Sequence, residues 1–347
     1  MSINQLAKEL NLSQSTVYRA LSQPGLVSKE VLEAIHAAAR SMQIDLQKRS
    51  PRGRPPKADR KDSHLKKLGV WFIGSNQTYA NRFLSTQIAL VRIACEEAGM
   101  AHQFIFSSSI DELPVEISQQ KVDAVLMEGL LPSKEAIGQM GRIPSVWIMT
   151  RRSEDYPDDF VEPDNTANGR MAADYLQKRG NQHVAFVTTE PDYPAFAQRK
   201  TSFLNRCKQL GMNAYCVTRL SQSGREHLQH PPSDEVGEEL AKELIASDPD
   251  LKGIYIPSEH AVGALYRGLR RVGKNAACFD WILGNYDPYV WQQLDPQPAA
   301  IDINLSTIIS QAVQISSWRI RHPEVAARIG IAVGPTLLKP GTQTRVA

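Results

Sequence analysis

Apolar residues recur three and four apart near the start of the chain, and in short unbroken runs after residue 67. The first spacing is that of amphipathic helices and the second that of buried strands. Ile3, Leu6, Ala7 and Leu10 form one stripe, with Ser2 as N-cap and Gln5 completing a capping box, so residues 2–10 are predicted as a short helix. Asn11 suits a tight turn. Ser13 then caps a second helix over residues 14–22, with Val17, Ala20 and Leu21 facing inward. Pro24-Gly25 breaks the chain, and Ser28 caps a third helix running to about Met42, with Val31, Leu32, Ile35 and Ala39 on one face. Two short helices around a tight turn, closed by a third, describe a helix-turn-helix, and the small Ala7 suits the close approach of the first pair. The second helix of such a unit enters the DNA major groove. Its outward residues are Gln14, Ser15, Thr16, Tyr18 and Arg19. Glutamine can pair with adenine and arginine with guanine. The competing reading is a plain three-helix bundle with a polar surface.

From Leu68 the pattern alternates. Strands are expected at 68–73, 123–127, 146–149, 184–187 and 253–256. Helices are expected at 86–98, 169–179, 199–210, 236–246 and 261–272, several followed by glycine. Regular βα alternation gives an α/β unit with parallel sheets covered on both faces, and the length suits two lobes. The fold class is therefore an all-α headpiece followed by a two-lobed α/β domain. The expected divisions are 1–47, 48–67 and 68–347.

Charge sharpens the middle division. The formal net charge is only +3, but residues 48–67 hold nine Lys/Arg against two Asp/Glu, while residues 1–47 hold four of each. A basic stretch joining a neutral headpiece to an acidic body points to a polyanion. Pro51, Pro55 and Pro56 exclude a regular helix there. An extended Arg52-Gly53-Arg54-Pro55 core can lie in a narrow minor groove with both arginines along its floor. Lys48, Arg49 and Lys57 flank it as phosphate contacts. A Pro/Arg-rich spacer that merely touches phosphates is the other reading.

Two resemblances add to this. Leu12-Ser13, Thr16-Val17, Arg19, Leu21, Val27-Ser28 and the run to Ala39 resemble the headpiece of the LacI/GalR family of bacterial repressors. That resemblance implies base contacts from Gln14, Ser15 and Arg19. Tyr18 and Ser22 stand where the family usually has Ser and Asn. The family's apolar hinge helix has no counterpart in 48–57; the PRGRP core resembles an AT-hook instead. Further along, Asp164-Asn165, Gly169, residues 180–186, Arg199, Phe203, Gly263-Ala264 and residues 335–338 follow the order of LacI/GalR effector domains, which are similar to periplasmic sugar-binding proteins. The resemblance implies two lobes joined by three crossovers, a ligand in the cleft, and a homodimer on a pseudo-palindromic operator. With nine residues following Leu338, the resemblance implies a dimer, without the extra C-terminal helix that makes some family members tetramers.

For the cleft, the resemblance places Arg199 on the ligand, where a guanidinium clamps a diol or carboxylate. Tyr193, Phe196, Trp147 and Tyr286 are candidate stacking surfaces. Other family positions differ: Pro257-Ser258 replaces Asn-Asp, Tyr286 replaces an acid, and Met149 ends the fourth strand. The effector is thus expected to be less polar than a sugar, bound differently, or absent.

Exclusions complete the picture. No phosphate loop, HExxH or GxSxG occurs, and Cys95, Cys207, Cys216 and Cys278 form no CxxC pair. His227 and His230 lack a third ligand, and His183 and His260 have no evident acid–base partner in the sequence. No catalytic residue, metal or cofactor is expected. Neither a secretion signal nor a membrane span is legible, so a cytoplasmic location is expected. The expectation is a sequence-specific transcription regulator, in the manner of a repressor, with operator DNA and a small molecule as partners. An architectural A·T-binding protein and a solute-binding protein are the alternatives.

Overall fold

In the computed structural model, the described residues are 7, 9, 10, 12, 13, 16, 17, 27–41, 65–74, 82–149, 156, 158–219 and 232–342. They fall in two compact units, Met1–His64 and Leu65–Ala347.

In the first unit, Ser13 caps the second helix as its sequence requires: its carbonyl accepts the amides of Thr16 and Val17, and its Oγ accepts the Thr16 amide at 3.1 Å. Ser28 does the same for helix α1 (Lys29–Ser41), its carbonyl accepting the Leu32 amide at 3.1 Å. Ala7, Val17 and Ile35 are buried together, with Leu10, Leu12, Val27, Val31 and Leu32 packed against them. One residue from each expected helix therefore meets at a common core.

Among the described residues, the second unit holds two six-stranded sheets. Its helices, in chain order, are α2 (Arg82–Glu97), α3 (Val115–Ser118), α4 (Lys134–Gln139), α5 (Asn165–Lys178), α6 (Pro194–Gln209), α7 (Asp234–Ser247), α8 (Val262–Arg271), α9 (Pro288–Gln292) and α10 (Leu305–Arg321). Lobe 1 carries β1 (Lys67–Ile73), β2 (Ala101–Ser107), β3 (Ala124–Gly129), β4 (Ser145–Ile148), β5 (Asp159–Pro163) and β11 (Gly330–Val333), in the order β2-β1-β3-β4-β5-β11. Lobe 2 carries β6 (His183–Thr188), β7 (Asn213–Thr218), β8 (Gly253–Ile256), β9 (Asp280–Leu283), β10 (Ala299–Asp302) and β12 (Thr336–Leu338), in the matching order β7-β6-β8-β9-β10-β12. All pairs are parallel except β10 with β12. Strands such as β1 and β8 are unbroken apolar runs because both sheet faces are covered. Each lobe accordingly has two apolar layers, one on either side of its sheet.

Two helices begin earlier than periodicity predicts. The Asp164 carboxylate accepts the Ala167 amide at 2.7 Å, which starts α5 at Asn165 rather than Gly169. Pro194 occupies the first turn of α6, where its missing N–H costs nothing, so that helix starts five residues before Arg199. Gly169 is placed by packing: a Cβ there would lie 2.3 Å from the Arg199 carbonyl oxygen. The bare backbone lets α5 lie directly on α6 and fixes where Arg199 stands.

The chain crosses between lobes three times, at β5 to α5, β10 to α10, and β11 to β12. Asn304 fastens two of these together. It adopts a left-handed backbone (φ 57°), and its Nδ2 donates to the Gly334 carbonyl at 2.7 Å and to Thr336 Oγ1 at 3.1 Å. Among the described residues, no helix is long and apolar enough to cross a membrane.

Candidate functional site

Parallel sheets of this order bind ligands beyond the carboxyl ends of their strands, near the point where strand order reverses. In lobe 2 that point lies between β6 and β8. The segments following these strands are Thr189-Glu190, Pro257-Ser258-Glu259 and, after β9, Gly284-Asn285-Tyr286.

Arg199 sits beneath this edge, 3% exposed. Its Nε donates to Asn165 Oδ1 at 2.8 Å, and its Nη1 donates to the carbonyls of Pro257 at 2.5 Å and Gly284 at 2.9 Å. The guanidinium thus joins the start of α5 to the ends of β8 and β9. Burial pulls its pKa down from the ordinary value, but an arginine remains charged across the physiological range. Asn168, three residues after Asn165 on the same helix face, donates to the Gly284 carbonyl at 2.8 Å and accepts from Tyr255 Oη at 2.6 Å. A buried network of this kind fixes geometry strongly, since each hydrogen bond lost would be costly.

The aromatic candidates separate. Tyr193, half-buried, and Phe196, buried, lie at the start of α6 with ring centroids 4.7 Å apart, and Phe196 faces the Arg199 guanidinium at 5.7 Å. Tyr286 is half-buried at the end of β9, edge-on to Trp291 at 5.5 Å. These three stand at the carboxyl edge of lobe 2. Trp147 does not join them. It is wholly buried in a lobe 1 layer with Trp71, Met127 and Tyr156, so its ring has no exposed face to offer. Its position in β4 puts it inside the sandwich of sheet and helices, where a bulky apolar ring fills volume.

Several polar groups at this edge were not legible in the sequence. Glu259 is 6% exposed, and its Oε2 accepts from Asn285 Nδ2 at 2.8 Å. Ser258, Thr188 and Thr189 are also buried. Pro257 and Ser258 therefore do not leave this edge apolar, since Glu259 follows them. The helical spacing of Asn165 and Asn168 is the one sequence signal that points to the network.

Of the DNA-facing candidates, only Thr16 is described. It is half-buried, with Oγ1 2.8 Å from Ser13 Oγ. Gln14, Ser15, Tyr18 and Arg19 lie outside the described residues, as do Lys48, Arg49, Arg52, Gly53, Arg54, Pro55 and Lys57, and His227 and His230.

His183 does have an acidic partner. Its Nδ1 lies 2.5 Å from Asp248 Oδ2, at the amino end of β6 and so at the opposite pole of lobe 2 from the cleft. Hydrogen bonds from His183, Tyr215 and the Asp250 amide hold the Asp248 carboxyl down at about 2. A carboxyl lowered on folding contributes stability above its unfolded value, and that contribution disappears as pH falls through the folded value. Stability is therefore expected to drop between about pH 4 and pH 2, and Asp248→Asn should flatten that drop. Urea midpoints across this range for both proteins check it; equal acid sensitivity would remove Asp248 from the account. Among the described residues, no group of three or more His, Cys, Asp or Glu could hold a metal ion.

No family model matches the chain, and no curated protein sequence matches it. Solved structures do match. A transcriptional regulator CelR–cellobiose complex superposes with TM-score 0.61 at 18% identity, covering 98% of this chain and 100% of that one. The fold is that of the LacI-family regulators. A LacI family transcriptional regulator from Enterococcus faecium with bound ribose gives 0.62 at 20% identity, over 79% of this chain and 97% of its own. The lac repressor dimer bound to operator and an anti-inducer gives 0.61 at 14%, over 98% of each. The first and third of these matches extend over nearly the whole of this chain.

Proposed function

We propose that the protein is a sequence-specific DNA-binding transcription regulator whose operator affinity responds to a small molecule in the cleft. One observation carries this reading: a three-helix core built on Ala7, Val17 and Ile35 and a two-lobed ligand-binding fold occur in one chain. The first has few uses apart from DNA. The second closes on small molecules. The cited neighbours, which bind cellobiose, ribose or operator DNA, support both halves. The proposal extends to a homodimer acting as a repressor, with Gln14, Ser15, Thr16, Tyr18 and Arg19 toward the major groove, because one headpiece reads few base pairs and two read a palindrome.

Selection of a binding site from random DNA, followed by footprinting and sedimentation, tests this reading. A symmetric footprint with half-sites about one helical turn apart is expected. Arg19→Ala should cost about 1–3 kcal/mol on that site and relax specificity at one base pair. Uniform loss on every sequence would reassign Arg19 to phosphate, and failure to select any sequence would overturn the reading.

For the cleft, Arg199, Tyr193, Phe196 and Tyr286 are proposed to touch the effector. Arg199 also supports the ends of β8 and β9. Arg199→Lys keeps the charge and loses the fork geometry. It is expected to weaken the effector response while leaving DNA affinity of the unliganded protein intact, read by operator titration with and without effector. An unchanged response would take Arg199 out of the pocket.

A further inference from the structure

The carboxyl edge of lobe 2 contains two buried charges of opposite sign that do not touch. Arg199 is 3% exposed and Glu259 is 6% exposed. Among the described residues, the three hydrogen bonds of Arg199 all go to neutral oxygens, those of Asn165, Pro257 and Gly284, and none involves its Nη2. Glu259 receives one amide hydrogen from Asn285, and its other oxygen lies 3.8 Å from His260 Nε2. A buried charge is costly unless it is paired at contact distance. If Glu259 served only to neutralise Arg199, a direct ion pair would be the favourable arrangement. Instead the guanidinium is clamped in place by the crossover helix and two strand ends, and the carboxylate is turned to Asn285. Arg199 bonds the carbonyls of Pro257 and Gly284, while Glu259 follows Pro257 by two residues and accepts from Asn285, the neighbour of Gly284, so both charges share one edge. Both stand at the reversal of strand order, where the fold places ligands.

We propose that the cleft takes a small zwitterion, an amino acid or a compound with an ammonium and an acidic oxygen on neighbouring carbons. The ammonium would sit on Glu259 and the anionic oxygens on Arg199 Nη2. Such a ligand gives Arg199 an anionic contact and Glu259 a cation closer than His260 at 3.8 Å, and both interactions would be charge-assisted hydrogen bonds. Tyr193 and Tyr286 would border the side chain. This inference deepens the effector reading above and rests on it.

The test uses the full-length protein and thermal shift, because a ligand stabilises the state that binds it. The probes are the twenty L-amino acids, the α-hydroxy acid matching each amino acid that shifts the transition, and glucose, ribose and cellobiose. At least one amino acid is expected to raise the midpoint, with its hydroxy-acid counterpart at least about tenfold weaker. Glu259→Gln keeps an acceptor for Asn285 while removing the charge, and should weaken the same amino acid at least about tenfold. If that variant does not fold, the comparison of amino acid with hydroxy acid decides alone. Binding of a sugar and of no amino acid overturns the zwitterion but leaves the effector reading standing. So does an amino acid bound equally well by Glu259→Gln. Silence from every probe overturns the zwitterion, while a response of operator binding to some other small molecule would preserve the broader reading.

Discussion

Replacing Arg319 by alanine is expected to destabilise the protein by about 3–5 kcal/mol, because it leaves a buried carboxylate unpaired. Arg319 lies in the last turn of α10 and is 9% exposed; Asp159 opens β5 and is 3% exposed. Their contact is fork to fork, Nε to Oδ2 at 2.5 Å and Nη2 to Oδ1 at 2.7 Å. The same guanidinium donates to the carbonyls of Val325 and Ala327, and Asp159 Oδ1 accepts the Ile329 amide at 2.7 Å. One ion pair therefore folds residues 321–329 back so that β11 enters the sheet beside β5. Without the arginine, Asp159 retains the Ile329 amide and little else, and the two carbonyls lose their donors. An effect of this size is a large part of the stability of an ordinary domain. Urea denaturation of the single variants and of Arg319→Met with Asp159→Leu measures it. The double variant should cost less than the sum of the singles, since replacing both partners by apolar groups removes the stranded charge. A loss below about 1 kcal/mol for Arg319→Ala would mean that water replaces the arginine, and the pair would count as a surface contact.

The second large effect lies in the linker. Residues 1–47 carry no net charge, whereas residues 48–64, up to the start of the second unit, carry seven Lys/Arg against two Asp/Glu. Phosphate neutralisation releases counterions and makes affinity fall steeply with salt. The linker must then dominate that dependence. Arg52→Ala with Arg54→Ala is expected to flatten the slope of log affinity against log salt by about two. If the two arginines enter the minor groove, the double change also erases a preference for A·T over G·C pairs at the operator centre, where a narrow groove deepens the negative potential. A spacer that only touches phosphate gives the first effect without the second. Titrations of both operators with wild type and double variant separate the readings, and a wild type indifferent to the central pairs would end the minor-groove proposal while sparing the charge argument.

The local code carried much of this protein in plain view. Ser13 and Ser28 announced their helices because a hydroxyl that caps an amide three residues on is a short-range interaction. Apolar runs such as 68–73 and 253–256 announced strands, because a strand covered on both faces needs no alternation. Less visible were the strands whose residues are half exposed. In β7, Asn213 and Cys216 are exposed and only Val217 is buried, so no run stands out; its place comes from the neighbouring β6. Helix α10 has a readable face in Ile308, Ile309, Ala312, Val313 and Ser316, yet its partners in β3, β4 and β5 lie more than a hundred residues earlier in the chain.

The site divides in the same way. Sequence alone pointed to Arg199, to Tyr193 and Phe196 near it, and to the basic linker, because residue type and order are one-dimensional properties. It could not tell Trp147 from the others: an aromatic ring in a strand becomes core or cleft wall according to which sheet face it takes and what covers that face. Nor could it reveal that Asn165, Pro257 and Gly284, separated by up to 119 positions, converge on one guanidinium. That convergence exists only because Gly169 lets two helices touch and parallel strands bring their carboxyl ends to a common edge. Charge, caps and periodicity are written locally and were legible; which buried charges face each other without contact is set by packing between distant segments, and only the tertiary structure decides it.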